Sequence, residues 1–293
     1  STYYAFGGHA AHLLVIVPED VCGWRGLGTL GPLSGGGTMW ASVPSSSIDW
    51  DEIAFHEFGH NLGLGHSNTR ECPGAGSDGA GCWDRAYTDF YDVMGGGITV
   101  GAFNNNRDIG ALNLTHRARL DALPRGSALR EVNVEGGATQ TFTLKPISDT
   151  AGLRGLEIVD PVSGDRFYVE YRSGTGRDAK SFYAKLSSAP GSPYPNWLRP
   201  GVRVLKIAGN TSTVLQRPTH EVQGPLPFSD PDSPHSLYYR AGDVFGSETT
   251  SSGQGGVWVS VVSVTAAQAV VEVSLSKPIS FLDVPDSHPF ATE

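Results

Sequence analysis

His56-Glu57-Phe58-Gly59-His60-Asn61-Leu62-Gly63-Leu64-Gly65-His66 reads H-E-x-x-H-x-x-G-x-x-H without a departure, and the rest of the chain is organised around it. His56 and His60 are four residues apart, so on a helix both imidazoles leave one face, one turn apart. Two neutral imidazoles at that spacing can hold a zinc ion at about 2.0–2.1 Å per Zn–N bond. Glu57 sits beside the first of them and is placed to act as general base on a metal-bound water. Gly63 is expected to stop the helix, because glycine enters the left-handed region without steric cost. The chain then turns back and brings His66 to a third position. Three protein ligands leave a fourth position open, which is the arrangement of a catalytic zinc site rather than a structural one.

Tyr91-Asp92-Val93-Met94-Gly95 follows, and Met94 is one of only two methionines in the chain. Alone, Met94 reads as core filler. Behind the zinc motif it resembles the Met-turn of metzincin zinc metallopeptidases. In that family the turn forms a hydrophobic floor under the metal ligands. The chain is most similar to the gametolysin-like family. The residues that carry this are Cys22-Gly23-Trp24, Gly26-Leu27-Gly28-Thr29, the zinc motif and Asp92-Val93-Met94-Gly95. The resemblance implies an α+β metzincin-like catalytic domain over residues 1–125. It also implies a secreted, extracellular zinc metalloendopeptidase that binds a protein or peptide substrate. An edge strand above the active site would pair with extended substrate. Some metzincins place a tyrosine just after the methionine. Here Gly95-Gly96-Gly97 follows, so a second oxyanion stabiliser is left unassigned.

The length of 293 residues suits two modest domains, and 38 glycines with 19 prolines point to turns and β-structure rather than long helices. A net charge of -9 argues against a generic binder of nucleic acid or anionic membranes. No run approaches the roughly 20 apolar residues of a membrane span. The three cysteines leave an odd count. Cys72 and Cys82 flank a glycine-rich loop, a spacing that suits a local disulfide. Closing so short a loop stabilises by roughly 2–3 kcal/mol in the chain-entropy model. Cys22 is then unpaired or bonded to a segment outside this sequence. The alternative is three reduced thiols.

In chain order, residues 12–17 read as a buried strand, 23–37 as a glycine-rich loop, and 38–43 as a second strand at the sheet edge. Ala54, Phe58 and Leu62 recur every four residues on the zinc helix and are expected to face the core. Residues 67–89 are polar and read as irregular, a connector or a wall of the substrate cleft. Residues 108–123 read as a helix ended by Pro124. His116 on that helix, with His9, His12, His220, His235 and His288, is taken as a surface or core histidine. The stretch before His56 offers two strands and no helix, so a cleaved upstream segment or propeptide is expected to complete this part of the fold; the alternative is a pared-down upper part covered by the C-terminal β-domain.

Beyond residue 125 the pattern changes. Residues 131–134, 141–144, 156–159, 167–171, 202–207, 257–264 and 270–275 are short β-rich segments between Gly, Pro, Asp and Ser clusters. They suggest an all-β, sandwich-like C-terminal domain over 126–277, followed by a surface tail at 278–293. Asp230-Pro231-Asp232 could contribute to a Ca2+ site but reads more simply as a solvated acidic loop. Asn113-Leu114-Thr115 and Asn210-Thr211-Ser212 match the N-glycosylation triplet, a pattern common by chance. Two other functions stay open: a zinc-dependent amidase on a nonprotein amide, and a zinc-binding adhesion module with vestigial activity. Glu57 weighs against the second, because zinc retention needs no base.

Overall fold

Among the described residues the strands form three sheets, and the helix that carries His56 and His60 packs on the first. The computed structural model describes residues 11–18, 23–32, 34–43, 50–71, 82–95, 111–133, 138–181, 183–184, 200–208, 212–216, 237–247 and 256–275. The first sheet contains β1 (His12–Pro18), β2 (Gly26–Gly28) and β3 (Gly37–Val43) in the order β1-β3-β2. β3 runs parallel to β1 and antiparallel to β2. It is therefore central, not the edge strand expected from the sequence. The reason is that part of the glycine-rich stretch expected to be loop forms β2. A side chain there would be obstructed: a Cβ on Gly28 would lie 2.6 Å from the Glu57 carbonyl oxygen.

Helix α1 (Trp50–Asn61) packs on this sheet. Ala54, Phe58 and Leu62 are only half-buried, while Glu57, Gly59 and Asn61 are the buried positions. Polar bonds fix the helix where apolar burial is incomplete. The Asn61 amide donates to the carbonyls of Thr29 at 2.9 Å and Thr38 at 3.2 Å. Phe58 meets the His12 ring edge-on at 5.0 Å.

The remaining strands, in chain order, are β4 (Ser67–Glu71), β5 (Trp83–Arg85), β6 (Leu129–Val132), β7 (Thr139–Leu144), β8 (Gly155–Val159), β9 (Arg166–Arg172), β10 (Gly201–Ala208), β11 (Ser212–Gln216), β12 (Val244–Gly246), β13 (Val257–Thr265) and β14 (Gln268–Leu275). Six of the seven segments expected to be β fall on strands among these; 131–134 overlaps β6 at 131–132, with 134 outside the described residues, and β4, β5, β11 and β12 are additional. They form a seven-stranded sheet, β5-β4-β11-β10-β9-β8-β6, and a four-stranded sheet, β12-β13-β14-β7. β4 and β5 belong to the polar stretch expected to be irregular. Two buried polar side chains of β4 are paired: Ser67 donates to Asp89 at 2.7 Å, and Thr69 bonds Thr88. Strands from both sides of residue 125 thus share the large sheet, with β4 parallel to β11, so that boundary does not separate two independent sheets.

The two sheets face each other across one core. Leu156, Phe167, Val169, Tyr171 and Val204 of the large sheet meet Phe142, Val259, Val271 and Val273 of the smaller one. Alternation along β9 sends Phe167, Val169 and Tyr171 to this core, and Tyr168, Glu170 and Arg172 to the other face. That second face is also covered. Tyr168 and Leu205 pack with Leu114 and Ala118 of helix α2 (Leu114–Arg119) and with Tyr91.

Helix α2 is shorter than the expected 108–123. Asn113 caps it, its side chain accepting from the His116 N–H at 3.0 Å. Residues 101–110 lie outside the described residues. Because Asn113 is fully buried and its amide also donates to Ser67 Oγ at 3.1 Å, it is a cap rather than a glycan acceptor. Cys82 is disulfide-bonded. Cys22 and Cys72, the Asp230-Pro231-Asp232 loop, Asn210, the tail 278–293 and His9, His220, His235 and His288 lie outside the described residues. No helix among the described residues is long and apolar enough to cross a membrane.

Candidate metal centre

Helix α1 carries His56 and His60 on one face. It ends at Asn61, and Gly63 follows with φ 82°. The reversal is closed by bonds from Gly63 N to the His60 carbonyl at 2.9 Å and from Leu64 N to the Gly59 carbonyl at 3.0 Å. Leu64 is fully buried, which anchors the reversed chain. His66 then arrives immediately before β4. One donor atom from each of His56, His60 and His66 lies within 4.8 Å of the other two. The ring centroids are 4.9, 5.4 and 4.8 Å apart for the pairs 56–60, 56–66 and 60–66.

Second partners fix the ring orientations. His56 Nδ1 donates to the Val93 carbonyl at 2.7 Å, and His60 Nδ1 donates to the Leu64 carbonyl at 2.9 Å. A carbonyl oxygen only accepts, so Nδ1 carries the hydrogen and Nε2 presents its lone pair. Burial lowers the pKa of all three imidazoles. For His66, burial first and then repulsion from His60 and His56 bring it down to about 4. Neutral imidazoles are the metal-binding form, and three of them make a donor set that fits zinc with one position left for chemistry.

Glu57 lies one residue from His56 but is not among the grouped donors. Its side chain is turned toward β2, and a Cβ on Gly26 would collide with its Oε1. Glu57 is buried, and that burial pushes its carboxyl up to about 7. A carboxyl poised there can take and return a proton near neutrality.

Met94 is fully buried beneath the helix, where a Cβ on Gly59 would collide with its Sδ. Glycine at 59 therefore lets the methionine lie between the turns that carry His56 and His60. Asp92 organises the bend. One carboxylate oxygen accepts from Met94 N at 2.8 Å; the other accepts from Asn113 N at 2.6 Å and His116 Nδ1 at 2.9 Å. Burial alone would raise the Asp92 carboxyl. The charge and hydrogen bond of His116, with the Asn113 and Met94 N–H groups, hold it well below the usual range instead. His116 is accordingly a core histidine, 1% exposed. Ser67 N donates to the Met94 carbonyl at 2.8 Å, tying the bend to the residue next to His66.

A buried charge network that strand spacing alone does not reveal lies behind this floor. Glu170 accepts from Arg172 and Arg203, each at 2.8 Å. Arg203 reaches on to Asp89 at 2.6 Å, and Arg172 to Asp178 at 3.2 Å. Leu114 N at the start of α2 donates to Glu170 at 2.8 Å. Arg203 also lies over the Tyr91 ring, 4.3 Å from its centroid. The sequence signal was present as charges inside apolar strands, Glu170 and Arg172 in β9 and Arg203 in β10. Tyr87 was also missed. Its ring packs on His66 at 4.0 Å and on His56 at 5.9 Å.

With this geometry in place, residues 19–89 match a family model described as Metallo-peptidase family M12B Reprolysin-like. The match spans less than half of the chain. It includes the three histidines and Glu57, ends before Tyr91, and so does not reach the bend at Met94. It supports a zinc metallopeptidase, of metzincin-like kind. No curated protein and no solved structure gives a significant match.

Proposed function

We propose that the protein is a secreted metzincin endopeptidase, gametolysin-like in its finer affinity, that hydrolyses peptide bonds of extracellular proteins. The convergence of His56, His60 and His66 beside the buried Glu57 is the observation that carries this reading. His56, His60 and His66 would hold the zinc, which when bound makes water a nucleophile near neutral pH and polarises a carbonyl. Glu57 takes the proton of the attacking water and returns it to the leaving amine. Its burial raises the carboxyl to about 7, within reach of proton transfer near neutrality. Met94 supports the two helical histidines from below. With β3 paired on both sides, an extended substrate would add to β2, the edge strand that lies against Glu57. The disulfide at Cys82, for which Cys72 is the proposed partner, accords with an oxidising, extracellular setting.

The test is cleavage of denatured casein by zinc-loaded protein, by chelated protein and by the Glu57→Gln variant, read by mass spectrometry as new peptide termini. Zinc-loaded protein is expected to cleave. The variant should keep one zinc and lose about 10²- to 10⁴-fold in rate. Fully zinc-loaded protein that cleaves neither casein nor a peptide library would contradict the reading.

A further inference from the structure

The charge that develops on a substrate carbonyl oxygen needs a donor, and the residue after Met94 is a glycine without a side chain to supply one. Four other described tyrosines are engaged elsewhere. Tyr168 donates to Glu157, Tyr171 to the Thr265 carbonyl and Tyr183 to Asp178. Tyr91 is buried between Arg203 and Tyr183.

Tyr87 differs from all of these. Its ring lies tilted over His66 and nearly parallel to His56. Yet it is 44% exposed, so one side of the ring faces open space beside the metal ligands. Its hydroxyl has no hydrogen-bond partner among the described residues. The backbone holds it there in an unusual state. Tyr87 has φ 61°, in the left-handed region that a bulky residue rarely adopts. Such outliers persist where surrounding structure over-determines them, and they cluster at functional sites. Here the determinants are visible. Tyr87 N donates to Asn68 Oδ1 at 3.0 Å, and Thr88 Oγ1 donates to the Arg85 carbonyl at 2.9 Å. Asn68 lies in β4, two residues after His66, so the same strand places both the third histidine and the tyrosine.

We propose that Tyr87 is a catalytic residue whose hydroxyl donates a hydrogen bond to the oxyanion formed on the scissile carbonyl. It rests on the peptidase reading above. As water oxygen bonds to the carbonyl carbon, its proton passes to Glu57 and the carbonyl π electrons move to oxygen. Tyr87 keeps its own proton and stabilises that oxygen. On collapse the C–N bond breaks, and the proton on Glu57 goes to the amine. The donor comes from the turn after β5, upstream of the methionine bend, which leaves Gly95 free to pack against the Asp89 carbonyl.

Tyr87→Phe tests this, because it removes the hydroxyl and keeps the ring on His66. A quenched fluorescent peptide selected from a library with wild-type protein serves as substrate. A phosphinic peptide of the same sequence serves as a tetrahedral probe, its binding measured by calorimetry. The variant should keep one zinc per chain and a KM within about twofold, while kcat falls about 10²-fold or more, the usual loss for an oxyanion donor. Phosphinic-peptide affinity should fall at least tenfold. An unchanged kcat would overturn the proposal and leave the ring as a wall of the cleft. A rise in KM alone would do the same, since that marks uniform binding. Loss of zinc from Tyr87→Phe would make the residue a prop for His66 instead. Wild-type protein that binds zinc and cleaves nothing would remove the peptidase reading itself, and this role with it.

Discussion

Arg203, on a central strand of the large sheet, donates to Asp89 at 2.6 Å with both side chains fully buried. Asp89 accepts as well from Ser67, next to the third histidine, and from the N–H of Tyr91, at the start of the methionine bend. The C-terminal half of the chain thus reaches the floor of the metal centre through this guanidinium as well as through the pairing of β11 with β4.

Replacing that guanidinium should therefore affect both halves. Arg203→Met leaves Asp89 and Glu170 buried with a partner lost. Breaking a buried pair in this way costs about 3–5 kcal/mol. Urea unfolding should show that loss, and zinc affinity should fall with it. A variant of wild-type stability and zinc affinity would show that the pair carries neither role.

The Asp92–His116 pair makes stability sensitive to acid. The Asp92 carboxyl lies below its ordinary value in the folded chain, although burial alone would raise it. A group with a depressed folded pKa contributes stability that is present above its unfolded value, about 3.9. That contribution is lost as the pH falls below this value and on through the lower folded one. Asp92→Asn should be less stable than wild type at pH 7, and the gap should narrow as the pH drops below about 4. Thermal melts at several pH values read this directly; a gap that is constant with pH would mean that Asp92 is not held ionised.

The parts of this protein that are legible in the sequence are those encoded locally. His56, His60, Gly63 and His66 lie within one short stretch, and helical geometry converts their spacing into convergence. Alternating apolar residues mark β9, β13 and β14 in the same way. What escaped reading depends on partners distant in the chain. Glu170 and Arg172 alternate along β9 as solvent-facing residues would. They are buried because α2 and the methionine bend cover that face, and Arg203 and Asp89 meet across 114 positions. β2 was hidden because glycines read as loop when their use is to let a strand approach Glu57. Tyr87 could not be found from spacing, since the turn after β5 and Asn68 place it. By period alone Ala54, Phe58 and Leu62 read as a core stripe, but they are only half-buried and Asn61 fixes the helix through polar bonds.

Gly59 gives a local test of the floor. In an exposed helix, alanine is favoured over glycine by about 1 kcal/mol. Here the added methyl would occupy the space of Met94 Sδ, and Met94 is fully buried. Gly59→Ala is expected to lower the melting temperature and weaken zinc binding at least tenfold, measured by competition with a chelating dye. A stabilised variant with unchanged zinc affinity would show that Met94 does not support the histidines.

Zinc K-edge X-ray absorption on the one-zinc protein examines the central claim, a metal held by His56, His60 and His66 with a position open for chemistry. The account predicts three imidazole nitrogens and one light oxygen-type neighbour, all at about 2.0–2.1 Å, with the oxygen displaced when a hydroxamate is added. A sulfur neighbour at about 2.3 Å, or four protein ligands that no hydroxamate displaces, would contradict it and make the zinc structural.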